Sequence, residues 1–199
     1  MAEALNKGSN TLVPEDNTTR WLLPADSDID PKISIVMPTL NEEDGIAECI
    51  SRVQTALDEL QIHGEVIISD SSTDRTPEIA REMGAIVVGK GYGYAYRYAF
   101  ERVRGEYIVM GDADTTYDFE RIPALLEPVR DGSADICMGS RLDGEIRDGS
   151  MPPLHEHVGN PLLTKFLNTF YDAGVSDAHS GFRVFSRTAL EKLDLDTDG

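Results

Sequence analysis

The sequence predicts an α/β protein built on a mainly parallel sheet flanked by helices. Short apolar runs of strand length alternate with segments whose apolar residues recur at helical spacing. Polar clusters rich in Asp, Ser, Thr and Gly follow these runs, at the carboxyl ends where parallel strands bind ligands. The 199 residues, 40% hydrophobic and 27% charged, suffice for one large domain with a real core.

Residues 1–31 are polar and acidic, with Pro14, Pro24 and Pro31 and no sustained period. An irregular tail is expected there, with Trp21-Leu22-Leu23 as the segment able to dock. From Lys32 onward the pattern becomes that of a folded domain, expected over 32–199. Ile33-Ser34-Ile35-Val36-Met37 reads as a strand stopped by Pro38. Ile46, Cys49, Ile50, Val53, Leu57 and Leu60 recur as one face of a helix. Glu65–Ser69 is a second strand, and Thr76–Met83 a short helix with Pro77 in its first turn. Ala85–Val88 is a third strand, Tyr94–Val103 a helix and Tyr107–Met110 a fourth strand. Ile122–Val129 reads as a helix, Ala134–Met138 as a fifth strand and Thr188–Leu193 as a last helical segment. Strands separated by helices imply βαβ units with right-handed crossovers.

The formal net charge is −18, with thirteen Arg against five Lys. Such a surface repels nucleic acid and anionic lipid at low salt. It is also what a salt-loaded cytoplasm selects, so a halophilic source is expected. Cys49 and Cys137 each lie in an apolar run and read as reduced core residues. No apolar stretch approaches eighteen residues, and no signal-peptide core opens the chain; a cytoplasmic location is expected.

Asp112-Ala113-Asp114 follows the apolar run Tyr107–Gly111. Two carboxylates two residues apart at a strand end repel unless a cation joins them, and hard cations prefer oxygen. A solvated acidic turn is the plain alternative. Asp70-Ser71-Ser72-Thr73-Asp74-Arg75-Thr76 ends the second strand. Asp70 is placed to accept from a ribose hydroxyl or a base N–H, whereas Asp74 or Thr76 equally suits an Asx turn and helix cap. Gly89-Lys90-Gly91-Tyr92-Gly93 lets backbone approach a ligand, with Lys90 able to reach a phosphate, yet it matches neither the dinucleotide fingerprint nor the P-loop. His155-Glu156-His157 lacks a third zinc ligand in register, and no nucleophile elbow is present.

Together the motifs resemble glycosyltransferase family 2, with the Rossmann-like GT-A fold. Val36–Glu43 is similar to that family's opening motif, Asp70–Thr76 to its second nucleotide-binding segment, and Asp112-Ala113-Asp114 to its Asp-x-Asp metal motif. Gly139-Ser140-Arg141 and Asp177–Arg183 resemble motifs of the branch that makes dolichyl- or polyprenyl-phosphate sugars. The likeness runs from about Lys32 to Leu195 and implies roles. Pro38, Thr39, Asn41, Glu42 and Asp70 would hold the nucleoside, and Lys90, Ala113 and Arg183 would lie along the donor. Asp112 and Asp114 would hold Mg²⁺ or Mn²⁺ on the diphosphate. Arg141 would bind the acceptor phosphate. Asp177 would orient the acceptor rather than act as base, because a lipid phosphate has already lost its first proton. Asp114, Asp177 and Arg141 are thus the implied catalytic set.

The resemblance implies inverting transfer of a hexose from UDP- or GDP-hexose to dolichyl or polyprenyl phosphate. Transfer to a soluble or glycan acceptor and a non-catalytic nucleotide-sugar-binding module are the alternatives. Two positions depart from the mannose-transferring relatives. Thr116 stands where a metal-assisting Gln is common, so a hydroxyl or water is expected to substitute, and His155 lies where an Arg is usual. The family ordinarily continues beyond an end such as Asp194–Gly199, so a domain truncated at its C-terminus is expected. Membrane association would then come through the acceptor or a further segment, at the cytoplasmic face.

Overall fold

The computed structural model describes residues 20–89, 94–140, 165, 168–169 and 180–193. Six strands lie among them: β1 (Ile33–Thr39), β2 (Gly64–Asp70), β3 (Ile86–Gly89), β4 (Tyr107–Met110), β5 (Ile136–Met138) and β6 (Arg183–Ser186). The helices are α1 (Ile46–Leu60), α2 (Thr76–Glu82), α3 (Ala95–Phe100), α4 (Ile122–Arg130) and α5 (Arg187–Lys192). The strands form one sheet in the order β3-β2-β1-β4-β6-β5. β1 to β4 pair in parallel, and β6 runs antiparallel between β4 and β5. This is the mixed, mainly parallel α/β architecture the sequence predicts.

Helices cover both faces of the sheet, which is why the inner strands read as unbroken apolar runs. Ile33, Ile35 and Met37 join Val66, Ile68 and Val109 in one core, capped by α1 and α4. Val36, Ile67, Ile108 and Phe185 face the other way, against α3 and α5. Successive residues of β1 thus alternate between the two cores, as the strand period of two requires. Along α1, Ile46, Cys49, Ile50, Val53, Ala56 and Leu57 are fully buried at spacings of three and four.

Three local expectations are corrected. β1 does not stop before Pro38 but continues to Thr39. The Val36 carbonyl accepts from Gly111 N–H on the β4 side, and Pro38 shares its parity. The missing Pro38 N–H therefore faces a neighbour whose pairing ends at Val36↔Met110, and no ladder bond is lost. The helix expected over Tyr94–Val103 ends at Phe100. Val103 turns into the core, and Arg104 gives both its backbone N–H and its Nε to Glu65. Finally, Arg183–Ser186, not recognised as a strand, forms β6, with Val184 and Phe185 in opposite cores.

The end of the sheet remote from the ligand side is closed by a buried polar network. Glu65 accepts from Ser34 Oγ at 2.7 Å and from Arg104 Nε at 2.8 Å, and Ser34 Oγ accepts from Gly105 N–H. Arg104 also reaches the carbonyls of Pro24 and Ser27. The Trp21-Leu22-Leu23 segment docks here: Leu22 and Leu23 are buried, and Gly64 N–H donates to Trp21 O while its carbonyl accepts from Leu23 N–H.

Candidate nucleotide and metal site

The strand order reverses between β1 and β4, and an open α/β sheet binds ligands in the crevice above such a point. The loops leaving β1, β2 and β4 meet there. They carry Thr39, Asn41, Glu42, Asp70, Asp112 and Asp114, all named from the sequence.

The β1 and β2 loops are tied to each other. Thr39 Oγ1 donates to Asp70 Oδ1 at 2.7 Å. Asn41, in the left-handed region at φ 61°, accepts from Thr73 N–H at 2.9 Å and gives its own N–H to Ser72 Oγ. Glu42 N–H donates to Thr76 Oγ1, and Glu43 N–H to Asp74 Oδ2. Asp74 accepts from both the N–H and the hydroxyl of Thr76, the Asx-turn geometry that was its plain alternative. Desolvation opposes ionisation of Asp74, but these hydrogen bonds prevail and hold its carboxyl below the usual range.

Acidity concentrates where β1 and β4 diverge. Burial, followed by the charges of Asp114, Asp74 and Asp112, pushes the Glu42 carboxyl above its usual range. Asp114 is exposed, and its Oδ1 accepts from Thr116 N–H at 3.0 Å. Thr116 thus fastens Asp114 through its backbone N–H. Ala113 is buried at the hinge of the pair, its carbonyl close under Gly45.

Two tyrosines that sequence reasoning did not single out frame Asp112. Tyr96 Oη lies 3.5 Å from Asp112 Oδ1; burial first, then the Asp112 charge, drive its pKa far above that of a free phenol. Tyr117 Oη accepts from Gly181 N–H at 2.8 Å, and the Tyr117 ring stacks on Phe182. Phe119 meets Phe182 edge-on. This aromatic wedge fastens residues 180–182 against the Asp112 loop. Arg183 opens β6 opposite Met110 and Met138, donates to Ser180 O at 2.8 Å, and lies near enough to Tyr96 to act on it by charge. Separations of 16 and 64 residues hid both tyrosine contacts from any local pattern. Lys90, Arg141, Asp177, His155 and His157 lie outside the described residues.

The chain matches the family model described as Glycosyl transferase family 2 over residues 34–194. It belongs to glycosyltransferase family 2. It is 72% identical over 181 residues to a low-salt glycan biosynthesis hexosyltransferase of Haloferax volcanii, a match covering 89% of this chain and 44% of that protein. It is 33% identical to a dolichyl-phosphate hexose transferase of the same organism, covering 81% of this chain and 69% of that one. Among solved structures, glucosyl-3-phosphoglycerate synthase from Mycobacterium tuberculosis, in complex with Mn²⁺, UDP and glucosyl-3-phosphoglycerate, is similar. It shows 26% identity and a TM-score of 0.60, over 79% of this chain and 57% of that one. The expected GT-A fold and the halophilic character read from the charge agree with these relatives. This family 2 chain spans less than half the length of its 72%-identical relative.

The family implies a divalent cation, and the donor chemistry fits one. Among the described residues, no three His, Cys, Asp or Glu side chains form a cage that would hold an ion unaided. Asp112 and Asp114 instead offer oxygen donors two residues apart at one strand end, Asp114 exposed and Asp112 half-buried. Mg²⁺ and Mn²⁺ suit such a set, because one or two carboxylates suffice when substrate phosphate and water complete the shell.

Proposed function

We propose that this domain transfers a hexose, with inversion, from a nucleoside-diphosphate sugar to dolichyl or polyprenyl phosphate. One observation supports the reading: Asp112 and Asp114 leave β4 at the reversal point of the sheet, near enough to Glu42 for their charges to act on it and next to the loops that carry Thr39 and Asp70. Like charges so close are unfavourable alone and favourable around a cation. Asp112 and Asp114 would hold Mg²⁺ or Mn²⁺, which neutralises charge on the departing diphosphate.

The chain's own residues then divide the work. Pro38 and Thr39 wall the nucleoside side, and Asp70 offers its carboxylate to a ribose or base donor. Asn41 and Asp74 hold the loops rigid. Arg183 brings a fixed cation beside the acidic pair. Lys90, Arg141 and Asp177 complete the proposal on the strength of their motifs, as donor-phosphate ligand, acceptor-phosphate ligand and acceptor-orienting group. No helix among the described residues is long and apolar enough to cross a membrane. The proposed work site is the cytoplasmic face, reached through the acceptor lipid or a segment outside this chain.

A second reading is a soluble phosphorylated acceptor. It is favoured by the likeness to a synthase crystallised with glucosyl-3-phosphoglycerate. Transfer assays with UDP- and GDP-hexoses and Mn²⁺, offering either dolichyl phosphate in vesicles or 3-phosphoglycerate, separate the two. The lipid reading expects turnover with vesicles only. Asp114→Ala should abolish transfer and the thermal stabilisation given by Mn²⁺ with nucleotide, while the apo-protein Tm stays within a few degrees. A saturating ligand at 100 times its Kd should add about 2.7 kcal/mol to the native protein. Full activity of Asp114→Ala in excess EDTA would sink the metal assignment.

A further inference from the structure

Asp112 is the more enclosed member of the acidic pair, and its surroundings are built from distant parts of the chain. Tyr96 approaches one carboxylate oxygen from α3, with Oη 3.5 Å from Oδ1. Gly181 approaches the other so closely that a Cβ there would stand 3.2 Å from Oδ2 and 2.9 Å from Tyr117 Oη. The Tyr96 ring is itself fixed. It stacks on Phe100 with centroids 5.8 Å apart, and Phe100 meets Phe185 of β6 edge-on at 5.8 Å. Ala95 and Ala99, on either side of Tyr96, are buried and seat α3 on the sheet.

A hydroxyl on a clamped ring is a directional donor. At 3.5 Å the contact is at the outer limit of a hydrogen bond, so it steers the carboxylate more than it stabilises the fold. A cation ligand whose second contact is fixed by the protein loses less freedom on binding, and such contacts commonly set metal affinity. The rest of the aromatic chain is apolar packing that needs no hydroxyl. The phenol oxygen is the one atom of Tyr96 that this packing does not account for.

We propose that Tyr96 is a positioning residue: from α3 it holds the Asp112 carboxylate in the orientation that receives the divalent cation. The inference rests on the metal reading proposed above. Tyr96→Phe keeps the ring, and so the stack on Phe100, while deleting only the donor.

The test is Mn²⁺ binding to the full chain in molar KCl, followed by the electron-spin signal of free Mn²⁺, alone and with UDP or GDP. Tyr96→Phe should weaken Mn²⁺ binding about tenfold, with the metal-free Tm within a few degrees of wild type. Asp112→Asn should weaken it as well, and Tyr96→Phe added to Asp112→Asn should cause no further loss, because the hydroxyl acts through that carboxylate. Wild-type affinity in Tyr96→Phe, or losses that multiply in the double variant, would overturn the role of Tyr96 and leave the metal reading standing. Wild-type protein that binds no Mn²⁺ under any of these conditions would overturn both. Should Tyr96→Phe fail to fold, Tyr96→Met offers a second hydroxyl-free side chain judged by the same outcomes.

Discussion

Asn41 is a single side chain on which the nucleoside side of the crevice hangs. Its left-handed backbone suits Asn or Gly and strains other residues, while its amide oxygen fastens the Thr73 turn. Two substitutions separate those contributions. Asn41→Gly removes the amide, with the bonds it accepts from the Thr73 N–H and hydroxyl, and keeps φ unstrained; it should cost about 0.5–1.5 kcal/mol per bond. Asn41→Ala removes it and adds backbone strain, a further loss of about 1–2 kcal/mol. Urea denaturation of both checks the ordering; equal losses would remove the strain argument. Cys49 gives a second prediction at this scale. Burial raises its thiol pKa, so the reactive thiolate is scarcer than in a free cysteine at neutral pH. Native protein should resist alkylation at Cys49, and denatured protein should not. The chemistry-bearing residues at strand ends were legible because the motif and the strand end coincide in sequence. Tyr96 and Tyr117 were not, because nothing local marks a tyrosine as the neighbour of a carboxylate 16 residues away or of a backbone amide 64 residues away.

At the scale of elements, the parallel strands and the edge strand β5 were legible, and the antiparallel β6 inserted between β4 and β5 was not. β1, β2 and β4 are buried on both faces, so each reads as a plain apolar run. β6 is four residues long, with polar Arg183 and Ser186 at its ends, and becomes a strand only because β4 and β5 offer it partners. The α3 boundary was missed for the same reason: the partner that anchors Arg104, just past the expected helix end, is Glu65, 39 residues back. That pair carries the next prediction. Glu65 is 1% exposed at its side chain and Arg104 30%. Arg104→Ala leaves a buried carboxylate without its cation and should cost about 3–5 kcal/mol. Glycine contacts give a parallel pair. A Cβ on Gly105 would lie 2.6 Å from Ser34 N and 2.7 Å from Ile33 C, both backbone atoms that cannot step aside. Gly105→Ala should therefore destabilise strongly. Gly89→Ala meets nothing within 4 Å and should be nearly neutral. Thermal melts of the three variants check the order, and a tolerated Gly105→Ala would mean that β1 and β4 can part at that end of the sheet.

Across the whole molecule the dominant fact is charge. A chain of 199 residues carrying −18 must keep like charges close together at its surface. In dilute salt the repulsion is screened only beyond about 10 Å, which spans many neighbouring carboxylates; at 1 M salt the range falls to about 3 Å. The unfolded chain spreads its charges further apart, so repulsion weighs more on the native state, and screening favours folding. The cores gain too, though more weakly, where the salt anion is excluded from apolar surface. Tm should therefore climb steadily from about 0.1 M to 2 M KCl. A substitution series tests the cause. Replacing three exposed carboxylates remote from the crevice, Asp26, Glu59 and Glu127, by Asn or Gln should raise Tm at low salt and flatten the salt response. The same replacements should matter little at 2 M. Tm that falls with added KCl, or an unchanged salt slope in the neutralised variant, would show that repulsion is not what limits this fold at low salt.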